Sequence, residues 1–115
     1  MKHPDCIFCK IAGGDIPASK IFENDRIVAF DDIHPQAPVH FLVIPKKHIP
    51  TMDDLTADDR AVLGDMMFYA SEIARQKGVG ETGYRQVINC KDDGGQEVSH
   101  LHLHILGGRS MGKMG

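Results

Sequence analysis

Three of the chain's seven histidines stand at every second position of "HLHLHI", residues 100–105. On an extended chain, alternate side chains point to opposite faces. His100, His102 and His104 therefore share one face, and Leu101, Leu103 and Ile105 the other. The leucine face reads as a core face. The histidine face needs another reason, because uncharged apolar residues would bury better there. One metal ion does not serve all three. At ~3.3 Å per residue the outer rings lie ~13 Å apart along the strand, whereas zinc holds imidazole nitrogen at ~2.0–2.1 Å. An i, i+2 pair could still share an ion. Otherwise the stripe divides into separate imidazoles. Near an ordinary pKa of ~6.5, much of the imidazole is neutral at pH 7 and can attack phosphorus to give a labile P–N adduct. A neighbouring protonated histidine can stabilise charge on the phosphate oxygens. Just upstream, Gly94 and Gly95 let backbone N–H groups approach an anion with no Cβ in the way, and Asn89 offers a donor and an acceptor. Three imidazoles in register behind a Gly-Gly loop read as an active site.

The elements that would position these residues follow from pattern and punctuation. "CIFCKIAGGDIPAS" reads as a short helix stopped by Gly13-Gly14, with a turn at Ile16-Pro17. "KIFEN" and "RIVAFDDI" flank Asp25 as a hairpin, "HPQAP" is a loop, and "VHFLVIP" is a strand ending at Pro45. After the loop "KKHIPTMDDL", Thr56 and Asp59 stand in capping-box spacing ahead of a helix. Its apolar residues Val62, Leu63, Met66, Met67, Ala70, Ile73 and Ala74 recur at helical spacing until Gly78. Gly64 sits inside that helix at a cost of roughly 1 kcal/mol relative to Ala, which points to a crowded core or to a second helix packing there. "YRQVINC" and "HLHLHIL" read as strands around the polar loop "KDDGGQEVS", with Cys90 a small strand residue. Mixed elements with short connections favour an α+β domain with an antiparallel sheet, one domain over residues 1–115.

Composition limits the partners. Of the 115 residues, 42% are hydrophobic and 25% charged, as in a globular protein. A net charge of −3 gives no broad footprint for nucleic acid. No apolar run approaches the ~20 residues of a membrane span, and "MKHPDC" lacks a signal-peptide core, so a cytoplasmic location is expected. Three cysteines do not make a disulfide framework; Cys6-x-x-Cys9 reads as a metal site or a free dithiol.

"HLHLHIL" resembles the pattern His-x-His-x-His plus two apolar residues of the histidine triad proteins. The resemblance extends through "CIFCKI", "AFDDIHPQAPVHFLVIPKKHI" and "INCKDDGGQEVSHLHLHILGGR", and is greatest to the Hint branch. It implies a five-stranded antiparallel sheet with a long helix, paired into a homodimer with a continuous sheet. It also implies a hydrolase that cleaves purine nucleoside 5'-phosphoramidates and acyl-nucleotides through a nucleotidyl-histidine intermediate, with AMP- or GMP-type ligands and no catalytic metal.

Carried over by position, the resemblance makes His102 the nucleophile, His104 and Asn89 phosphate ligands beside the Gly95 backbone, and His40 a support for the triad. Asp32 matches the ribose-binding carboxylate, while Ile7, Phe8, Ile11, Phe30 and Ile33 match the apolar walls around the base; from the residues alone these five would be plain core. Asp31 has no assigned role. In some bacterial relatives Cys6, Cys9, His48 and the first triad histidine, His100, would hold a structural zinc, a closed tetrahedral site that fixes His100 and hence His102. Three positions depart from the animal pattern. Glu97 replaces a serine near the phosphate and leaving group, and either points away or donates a proton to the departing amine. His34 also replaces a serine, and the tail "GGRSMGKMG" lacks a terminal tryptophan, so the preferred leaving group is open. Two rival readings remain: a nucleotide-binding regulatory module with incidental hydrolysis, and a zinc hydrolase built on an i, i+2 histidine pair.

Overall fold

The computed structural model describes residues 5–114; the first residues of "MKHPDC" lie outside that range. The expected short helix is α1, Ile7–Ala12. Cys6 caps it, its Sγ accepting from the Cys9 N–H at 3.3 Å, and Gly13 closes it, followed by Gly14 at φ +82. The strands are β1 (Lys20–Glu23), β2 (Ile27–Asp31), β3 (Val39–Pro45), β4 (Tyr84–Val87) and β5 (Leu103–Gly107). Asn24 turns the first hairpin by accepting from the Arg26 and Ile27 amides with its side-chain oxygen. All pairings are antiparallel, and the sheet order is β1-β2-β3-β5-β4.

The long helix α2 spans Arg60–Gln76 and packs mainly on β3, β2 and β5. Ahead of it, Ala57–Asp59 form a 3-10 turn, so the Thr56–Asp59 pair caps that turn rather than α2 directly. Asp59, only 3% exposed, accepts from the Thr56 N–H and from Lys47 Nζ at 2.7 Å.

The two-residue period of the strands sorts the core into two layers. Ile27, Ala29, Phe41, Val43, Leu101, Leu103 and Ile105 meet Met66, Ala70, Ile73 and Ala74 of α2 on one face. Val28, Phe30, Leu42 and Ile44 meet Phe8 and Ile11 of α1 on the other. The leucines of the triad segment thus bury under α2, as their alternation implied, and the histidines belong to the α1 side.

Three local expectations need correction. β4 stops at Val87, so Asn89 and Cys90 lie beyond it rather than on it. β5 begins only at Leu103. Upstream of it, the Leu101 N–H donates to the Ile49 carbonyl and the His100 N–H to the Val98 carbonyl, so these amides are engaged outside the sheet ladder. Gly64 does not serve a crowded core: a Cβ there would meet nothing within 4 Å, and the residue is exposed.

Candidate functional site

On the α1 side of the sheet a cavity of about 330 Å³ opens between α1, β2 and the β4–β5 loop. This lies within the ~300–1,000 Å³ of small-molecule sites. Its floor and walls are Phe8, Ile11, Ile16, Ala18, Phe30, Leu42 and Val98, and its polar edge carries Asp32, Asn89, Gly95, Glu97, His102 and His104. Phe8, Ile11 and Phe30 are buried. Ile7 and Ile33 also border the cavity but are 48% and 83% exposed, so they form its rim rather than a packed wall. Ile16, Ala18, Leu42 and Val98 were not singled out from sequence, since nothing in their types separates a cavity wall from ordinary core.

The histidines divide the work through the hydrogen bonds that fix their protons. His102 is 6% exposed, and its Nδ1 lies 2.7 Å from the His100 carbonyl. A carbonyl only accepts, so Nδ1 carries a proton, and in the singly protonated ring it is Nε2 that keeps the lone pair. Phe8 packs edge-on against this ring, with centroids 5.1 Å apart, and limits its rotation.

A second set of bonds runs through His40 and His104. The Gln36 amide donates to His40 Nδ1 at 3.0 Å, which places the His40 proton on Nε2. His40 Nε2 in turn lies 3.0 Å from His104 Nδ1, with Asp32 Oδ2 at 3.4 Å as a further acceptor. His104 therefore accepts at Nδ1 and carries its own proton on Nε2. Burial, helped by the neighbouring His102 and His40 and opposed by Asp32, pushes the His104 ring down to about 4. Burial also lowers His40, against the pull of Asp32. The expected protonated neighbour is thus corrected: His104 is a neutral ring at pH 7 and offers an N–H dipole rather than a full charge.

The glycine loop also differs from expectation. Gly95 borders the cavity at φ +75, but its N–H donates to the Asp92 carbonyl at 3.0 Å and is not a free anion donor. Gly94 is required for a different reason: a Cβ there would lie 2.5 Å from the Cys90 carbonyl oxygen. Asn89 lies on the cavity edge, its amide without a hydrogen-bond partner among the described residues. Glu97 borders the cavity and is exposed. Asp32 keeps one oxygen on the His34 N–H at 2.8 Å and holds its other oxygen toward His40. Asp31 pairs with Lys77 at 3.1 Å.

His100 faces elsewhere. Wholly buried, it sets Nε2 2.8 Å from the Pro45 carbonyl, which puts the proton there and makes Nδ1 the acceptor nitrogen. Nδ1 lies 3.2 Å from Cys6 Sγ and 3.5 Å from Cys9 Sγ, while Cys9 Sγ lies 3.2 Å from His48 Nδ1. All four donor atoms fall within 4.8 Å of one another. A tetrahedral zinc with ordinary bond lengths would set sulfur and nitrogen ~3.6 Å apart, so this cluster fits a metal after a small expansion. The Pro45 carbonyl supplies the outer bond that orients a ligating histidine. Burial raises the Cys6 thiol, with the neighbouring Cys9 in the same direction and the Cys9 amide opposing. His102 belongs to neither metal-competent cluster found among the described residues; the second is Asp32, His40 and His104. No two histidines of the stripe fall in one such cluster among the described residues.

An antiparallel sheet that sets two imidazoles, His102 and His104, at the edge of a largely apolar cavity defines a candidate small-molecule site. The HIT domain family model matches residues 13–111. The purine nucleoside phosphoramidase of Escherichia coli (strain K12) is 46% identical over 110 residues, 96% of this chain and 92% of that protein. Among solved structures, a histidine triad protein from Clostridium difficile superposes with a TM-score of 0.96 at 45% identity, covering 100% of both chains. A HIT family hydrolase from Legionella pneumophila Philadelphia 1 gives 0.91 at 53% identity, over 93% of this chain and 96% of that one. The chain belongs to the HIT domain family.

Proposed function

We propose that the chain is a hydrolase of purine nucleoside 5'-phosphoramidates, as the name of its Escherichia coli relative suggests, acting through a nucleotidyl-His102 intermediate. One observation carries the reading: the His102 proton is pinned to the His100 carbonyl at 2.7 Å, so Nε2 is the bare nitrogen of a ring bordering the cavity. The apolar walls take the base, and Asp32, which retains lone pairs beyond its two present contacts, takes the ribose hydroxyls. His102 Nε2 attacks the α-phosphorus; a P–N bond to the ring forms as the P–N bond to the amine breaks, and the departing nitrogen takes a proton from solvent water at the mouth of the cavity and leaves as the amine. The positive charge on the ring strengthens its Nδ1–H bond to the His100 carbonyl. Water then attacks phosphorus and gives up a proton to solvent, the ring–phosphorus bond breaks with its electron pair returning to Nε2, and nucleoside monophosphate departs as His102 returns to neutral. His104 Nε2–H and the Asn89 amide stabilise the phosphate oxygens throughout.

Cys6, Cys9, His48 and His100 would hold a zinc that ties α1 to the residue whose carbonyl sets the His102 tautomer. With two thiolates and two imidazoles around it, such an ion supplies structure and no open coordination site. A homodimer fits the molecule's open side. β4 is an edge strand, Met67 and Phe68 of α2 are 43% and 59% exposed, and Gly64 leaves room for a second backbone. The Tyr84 hydroxyl bonds Ser71, which joins that helix face to the β4 edge. The reading as a regulatory nucleotide binder is separated by His102→Ala. Loss of at least about a thousandfold in turnover of an adenosine phosphoramidate, with nucleotide still bound, is expected of a nucleophile; retained turnover overturns the proposal.

A further inference from the structure

The sequence "HPQAP" between β2 and β3 holds two prolines, Pro35 and Pro38, which carry no backbone N–H. This loop has few donors with which to fix itself, yet one of its amides has a demanding task. The Gln36 N–H sits on His40 Nδ1 and so decides which His40 nitrogen is protonated. Something must hold residue 36 in place. The Gln36 side chain reaches the His34 carbonyl within the loop. From outside it, Arg109 Nη2 donates to the Gln36 carbonyl at 2.8 Å, and Arg109 Nη1 to the Ser110 carbonyl at 3.0 Å. Arg109 lies two residues beyond the end of β5, whose Gly107 is paired with Val39 at the other end of the loop. Gly108, at φ +90, packs so closely on Pro38 that a Cβ would come within 2.9 Å of it. Tail and loop are thus in close register, and Arg109 closes the contact.

We infer that Arg109 is a positioning residue for the phosphate-binding face of His104, acting through Gln36 and His40. The inference rests on the hydrolase reading above. The path is continuous. A guanidinium that stays charged at any working pH holds the Gln36 carbonyl; the amide of the same residue donates to His40 Nδ1; His40 Nε2 donates to His104 Nδ1; and His104 Nε2–H is left for the cavity. Releasing residue 36 frees His40 Nδ1 to take a proton. In the ring's other tautomer His40 Nε2 becomes an acceptor, His104 must donate from Nδ1, and the cavity then meets a lone pair that repels phosphate oxygen. Asp32 Oδ2, near His40 Nε2, works in the same direction as Arg109, so removing Arg109 yields a mixture rather than a full reversal.

The test is Arg109→Ala beside Arg109→Lys, read first in resting protein by long-range ¹⁵N–¹H correlation of the histidine rings. In the unaltered chain, His40 and His104 should both show protonated Nε2 and bare Nδ1. In Arg109→Ala a second population with protonated Nδ1 should appear on both rings, and Arg109→Lys, which keeps a cationic donor, should restore much of the original pattern. On the phosphoramidate, loss of one hydrogen bond's worth of organisation lowers turnover about three- to tenfold, chiefly in kcat because charge grows on phosphate in the transition state. Unchanged ring signals in Arg109→Ala overturn the inference, whatever the activity does; a tail that merely anchored the fold would lower the unfolding midpoint and leave the tautomers alone. Because the ring readout needs no substrate, failure of the unaltered chain to turn over a phosphoramidate would instead count against the hydrolase reading.

Discussion

Lowering the pH from 7 to 5 should destabilise the folded chain through His104. Burial first, and then the neighbouring His102 and His40, push this ring from 6.5 down to about 4. The unfolded chain therefore takes up the proton before the folded one does. Stability is complete above the unfolded value, falls as the pH drops from about 6.5 to about 4, and is flat below that. At ~1.36 kcal/mol per unit, the limiting loss is about 3 kcal/mol, of which about 2 kcal/mol falls between pH 7 and pH 5. The ring borders an open cavity, and solvent screening reduces this to roughly 1–2 kcal/mol. His40, depressed in the same direction, adds to it. Glu23, Asp53 and Asp59, whose carboxyls are held below their ordinary values by lysine partners, act at lower pH. Urea melts of the unaltered chain and His104→Asn at pH 7, 6 and 5 isolate the effect, because groups other than His104 enter both series. The unaltered chain should lose roughly 1–2 kcal/mol more than the variant across that range. Equal pH slopes would refute the assignment of a partly buried ring held neutral in the folded chain.

Three further perturbations follow from the geometry. Gly94→Ala places a Cβ 2.5 Å from the Cys90 carbonyl oxygen, so the loop carrying Asn89 and Glu97 must shift; a stability loss of about 1–3 kcal/mol by urea melt and a raised KM are expected. Cys9→Ser removes the sulfur that lies near both His48 and His100, and zinc measured by elemental analysis should fall from about one ion per chain to a small fraction of that. Glu97 is exposed at the cavity edge, and Glu97→Ser should leave turnover of an adenosine phosphoramidate within about twofold, since an exposed side chain is not fixed in one place against the leaving group; a tenfold loss would give it a part in the leaving-group step.

How far the site was legible in the sequence depended on whether side chains or backbone groups made it. Alternation in "HLHLHI" placed three imidazoles opposite three core residues, and this holds even though the sheet ladder begins only at Leu103. Alternation reports which way side chains point, whereas the ladder depends on what lies alongside; at Leu101 that is the Ile49 carbonyl. "VHFLVIP" was readable to the residue, because apolar groups bury on both faces of a central strand and Pro45 marks its end. What stayed hidden is carried by main-chain atoms. The carbonyls of His100 and Pro45 and the amide of Gln36 assign the protons of His102, His100 and His40, and no residue type announces them. The Gly94-Gly95 pair signalled a special loop correctly but not its cause, which is close packing on the Cys90 backbone and an αL turn rather than a free Gly95 N–H. Gly64 gave the opposite lesson. Its cost inside a helix suggested either a crowded core or an outside partner, and the open space above it removes the first of these.

The most direct test is to mix the protein with an adenosine phosphoramidate, quench in base within one turnover, and map the peptides by mass. Adenylate attached to the imidazole of His102, formed and lost at rates that match turnover, is the expected result. Nucleotide attached to any other residue, or product formed in a burst with no adduct on the peptide containing His102, would contradict the reading of that ring as the nucleophile.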